Sequence, residues 1–341
     1  MNTAMLDDVS LIALIVAMGL YAAAFIAFAL DLARRSALVA DAATTAARQP
    51  SAVGATAARR GGTTTIEREP ASSGGGRVAT GPGAPVAAGR SLSLNVAMVL
   101  LVVGFVAHAI ATVLRGLAAS RVPWANMYEF AMTGTLLILS VYLIVLTRRD
   151  LRFLGTFVTG LILILLGIAV VQYRVEVAPL PPSLQSYWLV IHVFVAALGT
   201  GFFALAFALS GVQLLQFRRE SLAADAQAAK MRFLATLPDS VTLESMAYRL
   251  NIVGFIFWTF TLMAGAVWAE RAWGRYWGWD TKEVWTFIIW VLYAGYIHAR
   301  ATRGWRGSRS AWLAIIGFSA VMFNFGVVNV FFKGLHTYSG L

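Results

Sequence analysis

The sequence predicts an all-α polytopic membrane protein with about eight transmembrane helices, and three observations support this fold class. The 341-residue chain is 59% hydrophobic and 13% charged, whereas about a quarter of the residues of a soluble domain are charged. Its apolar residues gather in runs of about 20, the length that spans a bilayer. Its Lys and Arg residues fall mainly in alternate connecting segments, as the positive-inside rule requires.

Eight apolar runs predict the spanning helices, because a helix satisfies its own backbone groups where lipid offers no hydrogen-bond partner. The fifth run is long enough to tilt or to project beyond the bilayer, and the seventh is the shortest. In chain order the runs cover residues 11–30, 94–114, 127–147, 153–172, 188–217, 250–269, 284–298 and 311–331.

The first run is interpreted as a retained membrane anchor and not as a signal peptide. Asp7 and Asp8 precede it where a signal peptide carries basic residues, and Arg34 and Arg35 follow it. The next segment is dominated by Ala, Gly, Ser, Thr, Pro and Arg without an apolar period, which predicts a disordered cytoplasmic linker. The expected organisation is an anchor over 1–30, this linker over 31–93 and a seven-helix domain over 94–341.

Charge and cysteine counts limit the topology and the function classes. With the N-terminus placed outside, 20 of the 27 Lys and Arg residues fall on the cytoplasmic side and 7 on the outer side. Both termini are therefore expected to be extracytoplasmic, and the net charge of +11 reports topology without requiring a nucleic acid. The chain has no Cys, which excludes a disulfide, a thiolate metal site and a Cys nucleophile.

A tryptophan-rich segment marks the candidate ligand site. Six of the 11 Trp residues lie between Trp268 and Trp290, around an outer segment that reads WAERAWGRYWGWDTKEVW. Scattered Trp residues are typical of an interfacial belt, but this segment is denser than a belt requires and carries Asp280, Lys282 and Glu283 among its rings. Flat aromatic surfaces beside small glycines suit a planar hydrophobic ligand such as a porphyrin, whose carboxylates Arg or Lys can meet.

Four histidines are candidate metal ligands. His192 lies about one turn inside the outer end of the fifth helix, and His336 lies just beyond the last helix. Because both share the face of the tryptophan-rich segment, they are predicted as axial ligands of a haem iron; the alternative is an interfacial imidazole bonded to the backbone. His298 lies toward the cytoplasm, either within a basic boundary or as one ligand of a second haem shared with another chain. His108 lies mid-helix, either as a hydrogen-bonding residue or as a ligand.

The segment WGRYWGWDTKEVW resembles the tryptophan-rich WWD signature of haem-handling membrane proteins. Its continuation is most similar to the CcsA/ResC branch, the system II cytochrome c biogenesis proteins, and the stretch Asn-Met-Tyr-Glu at 126–129 extends the likeness across residues 94–341. The pattern W-G-x-x-W-x-W-D is matched at Trp273, Gly274, Trp277, Trp279 and Asp280, and the continuation at Lys282, Glu283 and Trp285.

The resemblance implies a function in c-type cytochrome biogenesis in the bacterial plasma membrane. Haem b would be moved with a CcsB/ResB-type partner, presented at the extracytoplasmic WWD face and joined to apocytochrome c, with this chain as a subunit of a cytochrome c synthase. A thiol reductant protein is a further implied partner. His192 and His336 would be the outer axial ligands, and His298 a ligand of a transmembrane haem. The implied haem contacts are Trp273, Gly274, Tyr276, Trp277, Trp279, Asp280 and Trp285, with no acid–base catalyst.

Two other functions fit part of the pattern. An exporter of haem or of another amphiphile would need the same aromatic site but would take no part in attachment. An electron-transfer cytochrome of the b type would place its ligands in pairs on facing helices. Four histidines spread singly over four segments fit that arrangement poorly.

Overall fold

The computed structural model describes residues 2–48, 91–180, 184–222 and 231–336, and over these ranges the chain is helical without a strand. The expected all-α polytopic class is confirmed: seven spans of the described chain are long and apolar enough to cross a membrane. One further long helix, Thr281–Arg303, is not among these seven spans and carries charged residues near both of its ends. The helices are α1 (Thr3–Arg48), α2 (Leu92–Ala119), α3 (Met127–Leu146), α4 (Gly155–Gln172), α5 (Tyr187–Glu220), α6 (Ser240–Trp273), α7 (Thr281–Arg303) and α8 (Ser308–Phe323).

Polar contacts at the helix ends show that consecutive helices alternate in direction. Near the end of α2, Arg115 donates to Asp7 at the start of α1 (2.5 Å) and to Glu129 at the start of α3 (3.0 Å). At the opposite end of the bundle, Glu220 at the end of α5 accepts from the backbone N–H of Ser240 at the start of α6 (3.0 Å). We call the end of the bundle that contains Arg115 the site end.

The helices pack as two groups around one continuous apolar core. In the first group α1 lies along α2 and against α4, and in the second α5 lies along α6 and against α8. Helix α3 joins the groups because it contacts both α4 and α5. Two stacked rings, Phe203 of α5 and Tyr293 of α7, lie 3.6 Å apart at the centre of the second group.

Most helices extend beyond their predicted runs, and α6 begins at Ser240, well before the sixth run at 250–269. Helix α1 continues to Arg48 and so covers the start of the predicted linker, because this stretch is rich in Ala, the best helix former, and contains an Asp31–Arg35 pair one turn apart (2.7 Å). Residues 49–90 of that linker lie outside the described residues. Helix α7 extends the seventh predicted run at both ends. Helix α8 is followed by a π-helical turn, Asn324–Val328, and one further short turn, Asn329–Phe331.

Candidate functional site

A cavity of about 210 Å³ opens at the site end, between α3, α5, α6, α7 and the turns after α8. Its wall is mainly apolar, and it is lined by both His192 and His336 with Trp268 between them. Pockets that enclose a drug-sized ligand measure roughly 300–1,000 Å³. A planar ligand of porphyrin size would therefore be enclosed only in part.

The position of His192 on α5 is set by a contact with α6. Its Nδ1 lies 3.0 Å from the carbonyl oxygen of Thr261, and its ring stacks on Trp268 with centroids 5.8 Å apart. Since a carbonyl oxygen can only accept, Nδ1 carries the proton and Nε2 carries the lone pair. The close approach depends on Gly265, where a Cβ would lie 2.8 Å from Cε1 of His192.

His336 is held by Asp280 of the tryptophan-rich segment. Its Nδ1 lies 2.7 Å from Oδ2 of Asp280, and its ring meets Trp268 and Trp273 edge-on, with centroids 5.4 and 4.9 Å away. The hydrogen bond with His336 holds the pKa of Asp280 below its usual range, so this carboxylate stays ionised and accepts from Nδ1. Asp280 also accepts from the backbone N–H of Leu335 (3.0 Å), which fixes the segment after α8.

The two histidines share one pattern of hydrogen bonds. Each uses Nδ1 to reach an oxygen acceptor, and within the described residues neither Nε2 has a hydrogen-bond partner. Ligating histidines in metalloproteins usually donate their other ring N–H to a carboxylate or to a backbone carbonyl, which fixes the tautomer and the ring orientation. These imidazoles therefore fit the axial positions of a haem iron.

The start of α7 sets the backbone conformation of the tryptophan-rich segment. Asp280 caps this helix, and Glu283 accepts from the backbone N–H groups of Gly278 (2.8 Å) and Asp280 (3.1 Å), which completes a capping box. Gly274 ends α6 with φ +69°, a left-handed conformation that favours glycine. Trp279 also has positive φ, at +58°, and 77% of its surface is exposed.

The aromatic residues expected from the sequence occupy three different environments. Tyr276 and Trp277 line the cavity, and Trp273 contacts both Trp268 and His336. Trp279 packs edge-on against Trp277 at the surface. Like Trp273, Gly274, Asp280 and Trp285, it lies outside the cavity lining. Trp285 instead packs on Phe323 in the helix bundle, with ring centroids 4.4 Å apart.

The other two histidines lie away from this cavity. His298 is exposed on α7, about 24 Å along the helix from Lys282 at 1.5 Å per residue. His108 is fully buried: its Nδ1 lies 3.2 Å from the hydroxyl of Tyr21, and its Nε2 lies 3.0 Å from the carbonyl oxygen of Met132. Both ring nitrogens of His108 are therefore engaged within the protein, which favours the alternative of a hydrogen-bonding residue among α1, α2 and α3.

The structure adds residues that sequence reasoning missed. Trp268 contacts both candidate ligands, while Thr261 and Gly265 position His192 from the next helix. Thr261, Gly265 and Trp268 are spaced at helical intervals on α6, so the sequence could have placed them on one face of this helix. It could not have identified His192 as the residue that they contact. Asn324 was also missed: it lines the cavity, and its carbonyl oxygen accepts from Nζ of Lys282 (3.2 Å), a residue that the sequence had already placed in the tryptophan-rich segment.

Comparison with known proteins identifies a family. A family model described as cytochrome c assembly protein matches residues 124–336. The cytochrome c biogenesis protein CcsA of Guillardia theta is 36% identical over 245 residues, which cover 67% of this chain and 80% of that protein. CcsA of Heterosigma akashiwo is 33% identical over 248 residues, which cover 64% and 77% of the two chains.

One solved structure supports the fold independently. The protein named cytochrome c heme lyase CcmF matches with a TM-score of 0.61 over 100% of this chain, at 14% sequence identity. The alignment spans half the length of that chain. At this level of identity the likeness shows that the two proteins share a helical architecture.

Proposed function

This chain belongs to the cytochrome c assembly protein family and acts in cytochrome c biogenesis, and we propose that its aromatic cavity holds haem b for attachment to apocytochrome c. In this proposal His192 and His336 ligate the iron through their Nε2 atoms. One observation carries the assignment: two imidazoles face one aromatic cavity with Nδ1 bonded to an oxygen and Nε2 open. Trp268 and Trp273 hold the rings of these ligands in place.

The small volume of the cavity suits a site that presents haem to another protein rather than one that stores it. A haem enclosed only in part leaves one edge accessible to a second protein. Each thioether forms when a cysteine S–H adds across a vinyl C=C, which makes one C–S and one C–H bond without net oxidation or reduction. Because this chain has no Cys, the thiols belong to the apocytochrome, and the main contribution of the site is to hold the vinyl groups in one orientation.

We further propose the site end as the extracytoplasmic end of a domain over 94–341 in the bacterial plasma membrane. The distribution of Lys and Arg supports this orientation. His298, exposed near the opposite end, would ligate a second haem together with a histidine of a CcsB/ResB-type partner. A thiol reductant protein would keep the cysteines of apocytochrome c reduced.

Purification with and without the partner tests the ligand assignment. The full-length chain and its His192→Ala, His336→Ala and His298→Ala variants would be purified in both forms, and haem content and absorption spectrum recorded. We expect the first two variants to lose low-spin haem in both preparations, and His298→Ala to lose only the haem that depends on the partner. Unchanged spectra in His192→Ala and His336→Ala, with normal cytochrome c maturation, would rule out the site.

A second experiment separates attachment from export. Cells that lack this protein would be supplied with haem on the extracytoplasmic side, and c-type cytochromes would be measured. An exporter becomes dispensable under this condition, whereas a protein that presents haem for attachment does not. Restoration of mature cytochromes by outside haem alone would favour the exporter.

A further inference from the structure

Lys282 lines the cavity, and none of the described carboxylates forms a salt bridge with it. Within the described residues, no carboxylate oxygen lies within 4.0 Å of its Nζ. Arg115, the buried cation in the first helix group, instead pairs with Asp7 and Glu129. Removing a cation from water is costly unless an anion or several hydrogen bonds replace its hydration. Lys282 therefore lacks the partner that a cation in this environment normally has.

The neutral groups around Lys282 do not use all of its hydrogen-bond donors. Its Nζ donates to the carbonyl oxygen of Asn324 (3.2 Å) and to Oδ1 of Asn329, so two acceptors serve three N–H groups. The carbonyl of Asn324 is at the start of the π-helical turn, a feature often found at functional sites. Nδ2 of Asn329 in turn donates to Sδ of Met127 at the start of α3 (3.3 Å). Lys282 therefore lies where α7, α3 and the turns after α8 meet.

A second polar atom beside Lys282 also lacks a partner. The side chain of Asn324 lines the cavity and is 4% exposed, and its Oδ1 has no hydrogen-bond partner among the described residues. An amide oxygen of this kind requires a donor, and one water molecule can donate to Oδ1 and to an anionic ligand at the same time. The wall around Lys282 and Asn324 is thus incomplete without a further polar group.

We propose that Lys282 binds a carboxylate of the ligand in this cavity, which for haem is a propionate. This inference rests on the proposed haem function and adds the orientation of the ring. A propionate on Lys282 would turn that edge of the porphyrin toward the wall formed by the start of α7 and the vinyl-bearing edge, on the opposite side of the ring, away from it. Lys282 is then a specificity determinant that selects a carboxylated planar ligand.

Esterified haem tests the contact directly, because methyl esters remove the charge of the propionates and keep the iron and the ring. Full-length wild-type protein, Lys282→Met and Lys282→Arg would be titrated with haem and with haem dimethyl ester. Lys333→Met is the matched control, since Lys333 is an exposed lysine at the same end of the bundle. We expect wild type and Lys333→Met to prefer haem by about 10- to 100-fold. Lys282→Met should lose this preference by weakening haem alone, and Lys282→Arg should keep most of it.

The outcomes separate this inference from the proposed function. Equal affinities of the wild-type protein for haem and its ester would overturn the carboxylate contact without any variant, even if Lys282→Met failed to fold. An equal loss of both ligands in Lys282→Met would assign Lys282 a structural role and overturn it as well. If neither porphyrin bound the wild-type protein, the haem function itself would fail.

Discussion

Two regions of the molecule treat buried polar groups differently. In the first helix group, His108 uses both ring nitrogens and Arg115 is paired with Asp7 and Glu129. In the second group, His192 and His336 each use one ring nitrogen. The same residue type is thus satisfied by the protein in one region and left half-satisfied in the other.

The number of ring nitrogens bonded within the protein distinguishes a packing histidine from a candidate ligand better than the burial of its side chain does. His108 is more deeply buried than His336, but it offers no lone pair to a ligand because Met132 and Tyr21 occupy both nitrogens. The imidazoles at the cavity offer Nε2, and Lys282 offers an N–H in the same place. Incomplete hydrogen bonding around one cavity is the pattern expected of a ligand-binding site.

The largest expected effect distinguishes substitution of His192 from substitution of His108. His192→Ala should abolish the low-spin haem spectrum, because it removes an axial ligand. His108→Ala should leave the spectrum per folded molecule unchanged, but should destabilise the protein by about 3 kcal/mol, since it strands two buried polar groups and opens a cavity. Thermal unfolding and absorption spectra of both purified variants check this. A spectrum lost in His108→Ala at normal stability would contradict it.

A smaller effect is expected when the hold on His336 is weakened but its ring is kept. Asp280→Asn retains an N-cap for α7 but replaces the ionised acceptor of Nδ1, and we expect haem affinity to fall by about 10- to 100-fold. Asp239→Asn, at the N-cap of α6, is the matched control and should leave affinity unchanged. Titration with haem measures both variants, and equal affinities would show that Asp280 does not act through His336.

Gly265→Ala should lower haem affinity by about tenfold through displacement of His192. The added Cβ would stand 2.8 Å from Cε1 of the imidazole, and overpacking of this kind costs about 1–3 kcal/mol. Gly295→Ala, where a Cβ meets open space on α7, is the control and should bind haem as the wild type does. Identical haem spectra and affinities in the two variants would contradict the assigned position of His192.

The smallest effect is expected at Trp279. Its ring is exposed and lies outside the cavity lining, so Trp279→Ala should change haem affinity by no more than about twofold. Trp273→Ala should weaken haem more strongly, because it removes a ring that contacts both Trp268 and His336. Affinities measured side by side rank the two residues, and the reverse order would show that the outer ring is part of the binding surface.

The sequence predicted the existence and order of the helices well, because most of the apolar runs have the length that spans a bilayer. The second predicted run, 94–114, lies inside α2, and the third, 127–147, matches α3 within one residue. The end of α1 was misplaced because the Ala-rich stretch after residue 30 resembles a linker in composition but favours a helix in propensity.

The candidate site could be predicted only in part. The density of Trp residues and the positions of His192 and His336 indicate a ligand face, since both features can be read along one chain. The contact of His192 with Thr261 and the burial of Trp285 against Phe323 depend on how helices rotate against each other. A single sequence does not specify those rotations, and the same uncertainty left His108 open as a ligand.

Rescue with free imidazole tests the central claim most directly. His192→Gly and His336→Gly would be purified with the partner and titrated with imidazole, while His108→Gly serves as the comparison. We expect imidazole to restore the low-spin haem spectrum in the first two variants, because it can take the position of the missing ligand, and to have no such effect in His108→Gly. A wild-type spectrum in His192→Gly or His336→Gly before imidazole is added would contradict the account.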